Sequence, residues 1–255
     1  QERNLLAQLA VALGLQGHMA EALVTFEAAN QAQRNIEPEN GDLYGDQGIW
    51  WAEMLLRLGQ VKEARQQTEA NLLVCERNNW LDAVSRCHGL LGRLHTLVGT
   101  YDIAATYLNR AVATLRGGQL LGELARILLF QGELARRQSA WDDAQRYVDE
   151  ALVIASSRRM SLHFADALVL RGRIHLDRGQ ASQVDADDTQ RRWVEQALDD
   201  ADAARILAQR VGYPWAERDA ATLRADAFSA LGSAESAYQA SKEADQLTHR
   251  LQRSP

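Results

Sequence analysis

The chain has 255 residues, of which 46% are apolar and 24% charged, and this balance excludes an intrinsically disordered protein. Its 41 alanines and 36 leucines, against 4 phenylalanines and 3 prolines, favour helices and predict an all-α protein. The longest apolar runs, such as residues 127–130, end after four residues, whereas about 20 are needed to span a bilayer, so no membrane helix is expected. The formal charge of −6 makes direct nucleic-acid binding unfavourable.

Two features bear on the context of the chain. It begins at Gln1 inside a predicted helix, and we expect it to be a piece of a longer protein. Cys75 and Cys87 lie in helical patterns on different helices, and the first residues do not follow the pattern of a secretory leader. We therefore expect a cytoplasmic location, with both cysteines as small apolar side chains.

The charges are unevenly distributed along the chain. Residues 1–84 hold 6 basic and 12 acidic groups, residues 85–180 hold 13 and 9, and residues 181–255 hold 9 and 13. The middle of the chain is therefore positive by 13 − 9 = 4, between two negative flanks. All 28 basic residues except Lys62 and Lys242 are arginines, whose planar guanidinium group pairs with carboxylates and phosphates. Genomic base composition is the simpler explanation of this preference.

A repeated pattern of a tight turn followed by a helix start runs along the chain. Five segments carry it, each with an alanine at its end: Gln16-Gly17-His18-Met19-x-x-Ala22, Leu58-Gly59-Gln60-Val61-x-x-Ala64, Val98-Gly99-Thr100-Tyr101-x-x-Ala104, Gln138-Ser139-Ala140-Trp141-x-x-Ala144 and Leu231-Gly232-Ser233-Ala234-x-x-Ala237. Repetition at a period of about 40 residues is typical of a solenoid built from one supersecondary unit.

Small residues stand at matching positions on both sides of these turns. Seven residues before each turn position lie Ala10, Ala52, Gly92, Gly132, Gly172 and Ala225. After the turns, alanines recur seven apart at Ala22/Ala29, Ala104/Ala111, Ala144/Ala151, Ala197/Ala204 and Ala237/Ala244. A seven-residue spacing keeps both side chains on one stripe of a helix, and small residues let two helices approach closely. The predicted unit is an antiparallel helical hairpin.

This pattern resembles the tetratricopeptide repeat (TPR), whose hallmark residues fall at set positions across two antiparallel helices. The corresponding positions hold Leu9-Ala10, Leu13, Gly17, Met19, Ala22, Phe26 and Ala29 in the first copy, and Leu91-Gly92, His95, Gly99, Tyr101, Ala104, Leu108 and Ala111 in the third. The resemblance implies an α-solenoid of about six hairpins wound into a right-handed superhelix. It also implies a binding scaffold rather than an enzyme.

We expect residues 1–255 to form one TPR array. The predicted repeats cover about 3–35, 43–77, 82–116, 120–158, 161–211 and 215–252, with the hairpin turns at Gly17, Gly59, Gly99, Ser139, Gly179 and Gly232. Most spacings are 40 residues, longer than the common 34-residue form of the repeat. Trp80, Leu120, Met160 and Tyr213 lie between repeats, and each is expected to act as an apolar plug.

Long repeats of this kind resemble those in the sensor region of MalT-like bacterial signal-transduction ATPases and related transcription regulators. That resemblance implies a flanking ATPase or DNA-binding domain in the parent chain. Such a domain would make this chain the regulatory arm of a signalling or transcription-regulating protein.

The fifth hairpin contains an insertion at 181–188 without apolar periodicity, which predicts a solvated loop in which Asp187 or Thr189 caps the next helix. Its carboxylates raise the alternative of a calcium site. The EF-hand spacing fails, however, because Gln190 stands where glycine is required and Gln196 where the bidentate glutamate is required. No metal site is expected there.

No catalytic or cofactor motif occurs in the sequence: phosphate-binding loop, dinucleotide fingerprint, HExxH and GxSxG patterns are all missing. His88 and His95 stand seven apart on one helix, next to Cys87, and could suggest a metal site. His95 and His175 occupy the large-residue position of the repeat, however, so structural histidines are the prediction. We expect no enzyme activity and no cofactor.

The remaining candidate is the surface formed by the first helix of each hairpin, which lines the concave groove in a TPR array. The residues predicted to face it and bind a partner are Trp50, Glu53, Arg57, Arg86, Arg93, Arg126, Arg136, Arg137 and Arg173. Two interpretations stay open. The arginines bind an acidic peptide or small anion, or they form ion pairs between repeats, such as Glu53 with Arg93 or Glu133 with Arg173.

Among TPR proteins, the carboxylate clamp for chaperone tails needs asparagines that this sequence lacks, since Glu53, Arg93 and Trp50 stand at the tested positions. Chaperone tails are therefore not expected as partners. Two function classes lead: a sensor domain that binds a protein, peptide or small ligand, and a stand-alone interaction adaptor. An enzyme and a nucleic-acid binder are the disfavoured alternatives.

Overall fold

The computed structural model of the chain describes residues 2–118, 120–181 and 186–253. Within these residues it contains twelve α-helices and no strands. The helices are α1 (Glu2–Gln16), α2 (Met19–Ile36), α3 (Gly45–Arg57), α4 (Val61–Arg77), α5 (Leu81–Leu97), α6 (Tyr101–Arg116), α7 (Leu121–Arg137), α8 (Trp141–Ser157), α9 (Ser161–Ala181), α10 (Ala186–Val211), α11 (Pro214–Ala230) and α12 (Ala234–Arg253), with a 3₁₀ turn at Pro38–Asn40. No helix in the described ranges is long and apolar enough to cross a membrane.

Consecutive helices pack as hairpins, so the chain has the predicted fold class of an all-α helical-repeat solenoid. It divides into two compact units, one from the N-terminus to Phe130 and one from Gln131 to Gln252, and the boundary falls within α7. In the first unit α1 packs on α2, α3 on α4 and α5 on α6. In the second unit α9 packs on α8, α10 and α11. The single six-hairpin array and its right-handed winding stay predictions.

The turns end their helices with a residue in the left-handed backbone region. Gly99 has a φ of 83°, and the amide of Thr100 donates to the carbonyl of His95 at 3.0 Å, which closes the last turn of α5. Glycine adopts this conformation without the steric cost that a Cβ atom brings. Asn79, Ser139 and Arg159 occupy the same kind of position with φ between 54° and 57°.

The small residues form the seam of each hairpin, as the sequence predicts. Ala104 and Ala111 of α6 are fully buried, and so is Gly92 of α5. A Cβ atom placed on Gly92 would lie 2.5 Å from Cγ of Leu108 and 3.2 Å from the carbonyl oxygen of Ala104. Helices α5 and α6 are thus so close at this point that Gly92 lies directly against the backbone carbonyl of Ala104. The last predicted pair is looser, because Ala225 and Ala237 are only partly buried.

Two sequence predictions about connections are wrong. The predicted loop at 181–188 is helical at both of its ends: α9 continues to Ala181 and α10 begins at Ala186, while residues 182–185 lie outside the described residues. Thr189 lies inside α10 rather than capping it, and so does Asp187. The helices extend because Trp193 of α10 packs on the end of α9, where a Cβ atom on Gly179 would lie 3.1 Å from that of Trp193.

The junction residues differ in burial, so they do not all act as plugs. Tyr213 is 5% exposed and seals its junction, but Trp80 is 42% exposed and stacks on Tyr44, with ring centroids 5.9 Å apart. The indole ring of Trp80 thus lies against Tyr44 and beside Gly45, on the surface of its junction.

The seam predicts the effect of one substitution. Gly92→Leu should lower the free energy of unfolding by about 1–3 kcal/mol or more, because the side chain must displace Leu108 or separate α5 from α6. Urea denaturation measures this loss. Gly117→Leu is the matched control at an exposed position with an ordinary φ, where a change within about 0.5 kcal/mol is expected. Equal stability of the Gly92→Leu variant and the parent would refute the close approach.

Candidate functional site

The nine predicted binding residues all lie on α3, α5, α7 and α9, the first helices of successive hairpins. Six of them fall in the first compact unit and three in the second. Trp50 and Arg57 are half-buried on α3. The other seven are Glu53, Arg86, Arg93 and Arg126 in the first unit and Arg136, Arg137 and Arg173 in the second.

The first unit holds an ion-pair cluster formed by Asp46, Glu53, Arg86, Glu123 and Arg126, which we call the first cluster. Arg86 Nη1 donates to Asp46 Oδ1 at 2.5 Å, joining α5 to α3. Arg126 donates to Glu53 of α3 and, at 2.6 Å and 3.0 Å, to Glu123 on its own helix. Three first helices are thus connected by charge-assisted hydrogen bonds, which are stronger than neutral ones.

Burial acts against the charged groups at the centre of the first cluster. It lowers the pKa of Arg126 to about 10. It also raises the pKa of Glu123, and the charge of Arg86 opposes that rise. Each of these ions therefore depends on its partners for stabilisation. The Nε atom of Arg86 is buried without a hydrogen-bond partner, at 3.5 Å from Glu123 Oε1.

An aromatic ring adjoins the first cluster. The guanidinium carbon of Arg93 lies 5.1 Å from the ring centroid of Phe130, and that of Arg126 lies 5.9 Å from it. Cation–π attraction at such distances stabilises a partly desolvated guanidinium group. Arg93 therefore belongs to the same surface as Arg126, although its place there depends on Phe130, which the sequence did not single out.

The second unit holds a separate cluster of Glu133, Arg136, Arg137 and Asp177, which we call the second cluster. Arg136 forms two hydrogen bonds with Glu133, at 2.7 and 3.0 Å, and one with Asp177 of α9. Arg137 Nε donates to Glu133 Oε1 at 2.6 Å. Burial opposes the charged form of Glu133, but the two arginines outweigh it and hold its pKa below the ordinary value.

Arg173 differs from the other arginines on these helices. Among the described residues it makes no ion pair or hydrogen bond. Burial raises the pKa of Asp226 on α11, and the charge of Arg173 opposes that rise. The anticipated pairs therefore differ from the observed ones: Glu53 pairs with Arg126 rather than Arg93, and Glu133 pairs with Arg136 and Arg137 rather than Arg173.

A buried charged group that the sequence did not reveal lies between α9 and α10. Asp200 is 5% exposed, accepts hydrogen bonds from Arg171 at 2.5 and 3.1 Å, and has His175 Nδ1 at 3.2 Å from its Oδ2. Burial raises the pKa of Asp200, but His175 and Arg171 outweigh it and hold the pKa below its ordinary value. Asp200 is one of three aspartates, with Asp199 and Asp202, in this part of α10, and no sequence pattern distinguishes it from the other two.

The histidines and cysteines considered at the outset take packing positions. His88 and His95 lie against Tyr107, at 5.6 and 5.7 Å between ring centroids. Cys75 and Cys87 come from different helices, as predicted, but share one buried cluster, where Asn71 lies 3.5 Å from each sulfur atom. Within the described ranges no group of three or more histidine, cysteine or carboxylate side chains could hold a metal ion.

The observed ion pairs predict a large effect for one arginine substitution and a small effect for another. Arg126→Ala leaves Glu53 and Glu123 partly buried without their partner, so the free energy of unfolding should fall by about 1–3 kcal/mol. Arg173→Ala removes no ion pair and should change it by less than about 0.5 kcal/mol. Urea denaturation of both variants measures the difference. A stabilised Arg126→Ala variant would instead mean that the arginines repel one another in the unliganded protein.

Asp200 predicts a pH dependence. Its depressed pKa means that the ion pair with Arg171 and the contact with His175 contribute stability above the unfolded-state pKa of about 3.9, and that this contribution is lost as pH falls through the folded-state pKa. The difference in unfolding free energy between the parent and Asp200→Asn should therefore be constant above about pH 5 and shrink below pH 4. Denaturation at a series of pH values tests this. A difference independent of pH would contradict it.

A scan against models of protein families finds no match, and a search of curated protein sequences finds none either. Solved structures do match. A Rap protein complexed with Competence and Sporulation Factor has a TM-score of 0.68 at 14% identity, over 100% of this chain and 77% of the Rap chain. BtubC (BKLC) from P. vanneervenii has a TM-score of 0.58 at 17% identity, over 94% of this chain and 92% of its own.

A putative kinesin light chain of Podosopora anserina with nearly identical TPR-like repeats has a TM-score of 0.51 at 14% identity, over 81% of this chain and 95% of its own. Identities this low show similarity of fold alone. The chain therefore has the fold of a TPR-type helical-repeat protein.

Proposed function

We propose that the chain is a non-catalytic repeat domain that binds an extended peptide or protein segment along the first helices of its hairpins. The observation that carries the proposal is the first cluster. It places both arginines and carboxylates on three first helices, α3, α5 and α7. The fold similarity supports it, since the Rap structure is a complex with Competence and Sporulation Factor.

The composition of the first cluster favours a peptide over a small anion. Together with the adjoining Arg93, the first cluster has three arginines and three carboxylates, so the surface has no net charge to attract an anion. A small anion would have to displace carboxylates that already accept from Arg86 and Arg126. A peptide with both acidic and basic side chains can bind the arginines with its carboxylates and the displaced carboxylates with its cations.

Arg86 has a donor that its carboxylate partners satisfy incompletely. Its Nη1 is engaged by Asp46, while its buried Nε forms no hydrogen bond and lies 3.5 Å from Glu123 Oε1. A buried donor without a partner costs free energy that a bound acceptor recovers. Backbone carbonyls of an extended peptide supply such acceptors at regular intervals.

In the parent protein, we propose that this domain is the regulatory arm of a bacterial signalling or transcription-regulating protein, with an ATPase or DNA-binding domain beside it and a cytoplasmic location. This part rests on the resemblance of the long repeats to those of MalT-like regulators. The alternative is a stand-alone adaptor that joins other proteins. The residues encoded before Gln1 separate the two, because a phosphate-binding loop there supports the regulatory arm.

Peptide binding is testable with four fluorescent decapeptide classes: alternating lysine and glutamate, all acidic, all basic, and uncharged glycine–serine. Fluorescence anisotropy should show saturable binding of the mixed-charge class at least tenfold tighter than the others. The variant Arg86→Lys keeps the charge but loses the planar donor fork, and should weaken binding about tenfold, the loss expected for one charge-assisted hydrogen bond.

Arg65→Lys is the matched control, since Arg65 lies outside the first cluster on the second helix α4 and pairs there with Glu69 at 3.7 Å. Its affinity should equal that of the parent. Failure of every peptide class to bind, or equal affinities for the two lysine variants, would remove the first cluster as the peptide site.

A further inference from the structure

An open pocket of about 600 Å³ lies in the second unit, where α8 ends, α9 begins and the last turns of α10 pass. Met160, Phe164, Leu168, Ile206 and Leu207 form most of its apolar lining. The volume falls within the range of sites for small molecules, about 300–1,000 Å³. None of the predicted binding residues lines it, so the pocket is separate from both ion-pair clusters.

The junction at the pocket is more open than the next one along the chain. At the next junction along the chain, Tyr213 is 5% exposed and fills the space between α10 and α11. Here Met160 stands at the corresponding position without closing the gap, and Ile206 of α10 remains 60% exposed. A large aliphatic side chain that faces solvent beside a concave apolar surface gains free energy when an apolar ligand covers it.

Two arginines stand among the lining residues, Arg159 after the end of α8 and Arg210 in the last turn of α10. Neither makes a side-chain hydrogen bond or ion pair within the part of the chain that the structure describes. By contrast, Arg136, Arg171 and Arg224 of the same unit all have carboxylate partners. The pocket therefore combines an apolar surface with two uncompensated positive charges.

The backbone at Arg159 gives a second reason to connect this residue with the pocket. Its φ of 54° lies in the left-handed region, where a side chain with a Cβ atom is strained and where glycine or asparagine is preferred. Other helix ends of the chain use Gly99, Asn79 and Gly212 there. The sequence thus keeps an arginine at a position that its backbone disfavours, beside the pocket.

We propose that this pocket binds a small amphipathic carboxylate, such as a medium-chain fatty acid. The hydrocarbon chain lies against Met160, Phe164 and Leu168. The carboxylate accepts hydrogen bonds from Arg159 and Arg210, whose guanidinium forks match its geometry. The site is independent of the proposed peptide surface and gives the repeat domain a place for a small effector.

The direct test is isothermal titration of the chain with decanoate, below its micelle concentration, with decanol as the uncharged comparison. We expect saturable binding of one decanoate per chain and at least tenfold weaker binding of decanol. Arg210→Gln should weaken decanoate binding at least tenfold. Ala203→Phe fills the mouth of the pocket with a larger side chain from an exposed position and should abolish saturable binding.

Arg159→Asn separates binding from folding. Asparagine tolerates the left-handed conformation, so this variant should melt at a higher temperature than the parent while its affinity for decanoate falls at least tenfold. Arg192→Gln is the matched control, since Arg192 is exposed on α10 and does not line the pocket. Its affinity should stay within twofold of the parent.

Three results would overturn the proposal: decanol binds as tightly as decanoate, the two pocket arginine variants bind like Arg192→Gln, or the parent shows no saturable binding. If Arg159→Asn and Arg210→Gln both lower the melting temperature and leave decanoate binding unchanged, the two arginines serve only the negative ends of α8 and α10.

Discussion

The contact on which the hairpins depend is the approach of a glycine on one helix to a backbone carbonyl on its partner. Gly92, Gly132 and Gly172 each stand where a Cβ atom would lie within 3.6 Å of the carbonyl oxygen of Ala104, Ala144 and Ala197, respectively. At Gly92 and Gly172 a Cβ atom would also lie 2.5 Å from Leu108 and 2.6 Å from Leu223, so a larger residue there must displace a side chain. The apolar side chains that fill the hairpin, such as Leu108 and Leu223, must therefore lie beside the seam rather than across it.

The same spacing arranges the charges. Because each hairpin repeats after about 40 residues, side chains at equivalent positions of successive first helices become neighbours. Arg86 and Asp46 are 40 residues apart, and Arg136 and Asp177 are 41 apart. Ion pairs of this kind hold one repeat to the next, in the way that the apolar seam holds the two helices of one repeat. Their partial burial makes the loss of one partner costly, although a fully exposed pair contributes little.

The sequence predicts the helices and the seam well, because both follow from residue spacing. Gly92 and Ala104 are recognisable from their positions in the repeat alone. It predicts side-chain pairing poorly: Arg126 reaches Glu53 across 73 residues of sequence, past Arg93, and only the helix separation and the rotamers decide this. The sequence also did not predict that α10 begins as early as Ala186. The polar residues near 188 suggest a loop, whereas the packing of Trp193 on α9 is visible only in the structure. Neither Asp200 nor the contact between Cys75 and Cys87 has a local pattern.

The net positive charge of residues 85–180 is interpreted differently once the ion-pair partners of their arginines are known. It suggested arginines converging on a groove, yet in the first cluster Arg86 and Arg126 face three carboxylates, and in the second cluster Arg136 and Arg137 face Glu133 and Asp177. Part of the surplus of residues 85–180 lies instead at the end of α8, where Arg159 lines the pocket together with Arg210 of α10. A charge count along a sequence cannot distinguish an arginine that pairs with a neighbouring repeat from one that does not. The difference lies in whether a carboxylate is within reach, and among the residues that the structure describes neither Arg159 nor Arg210 forms an ion pair.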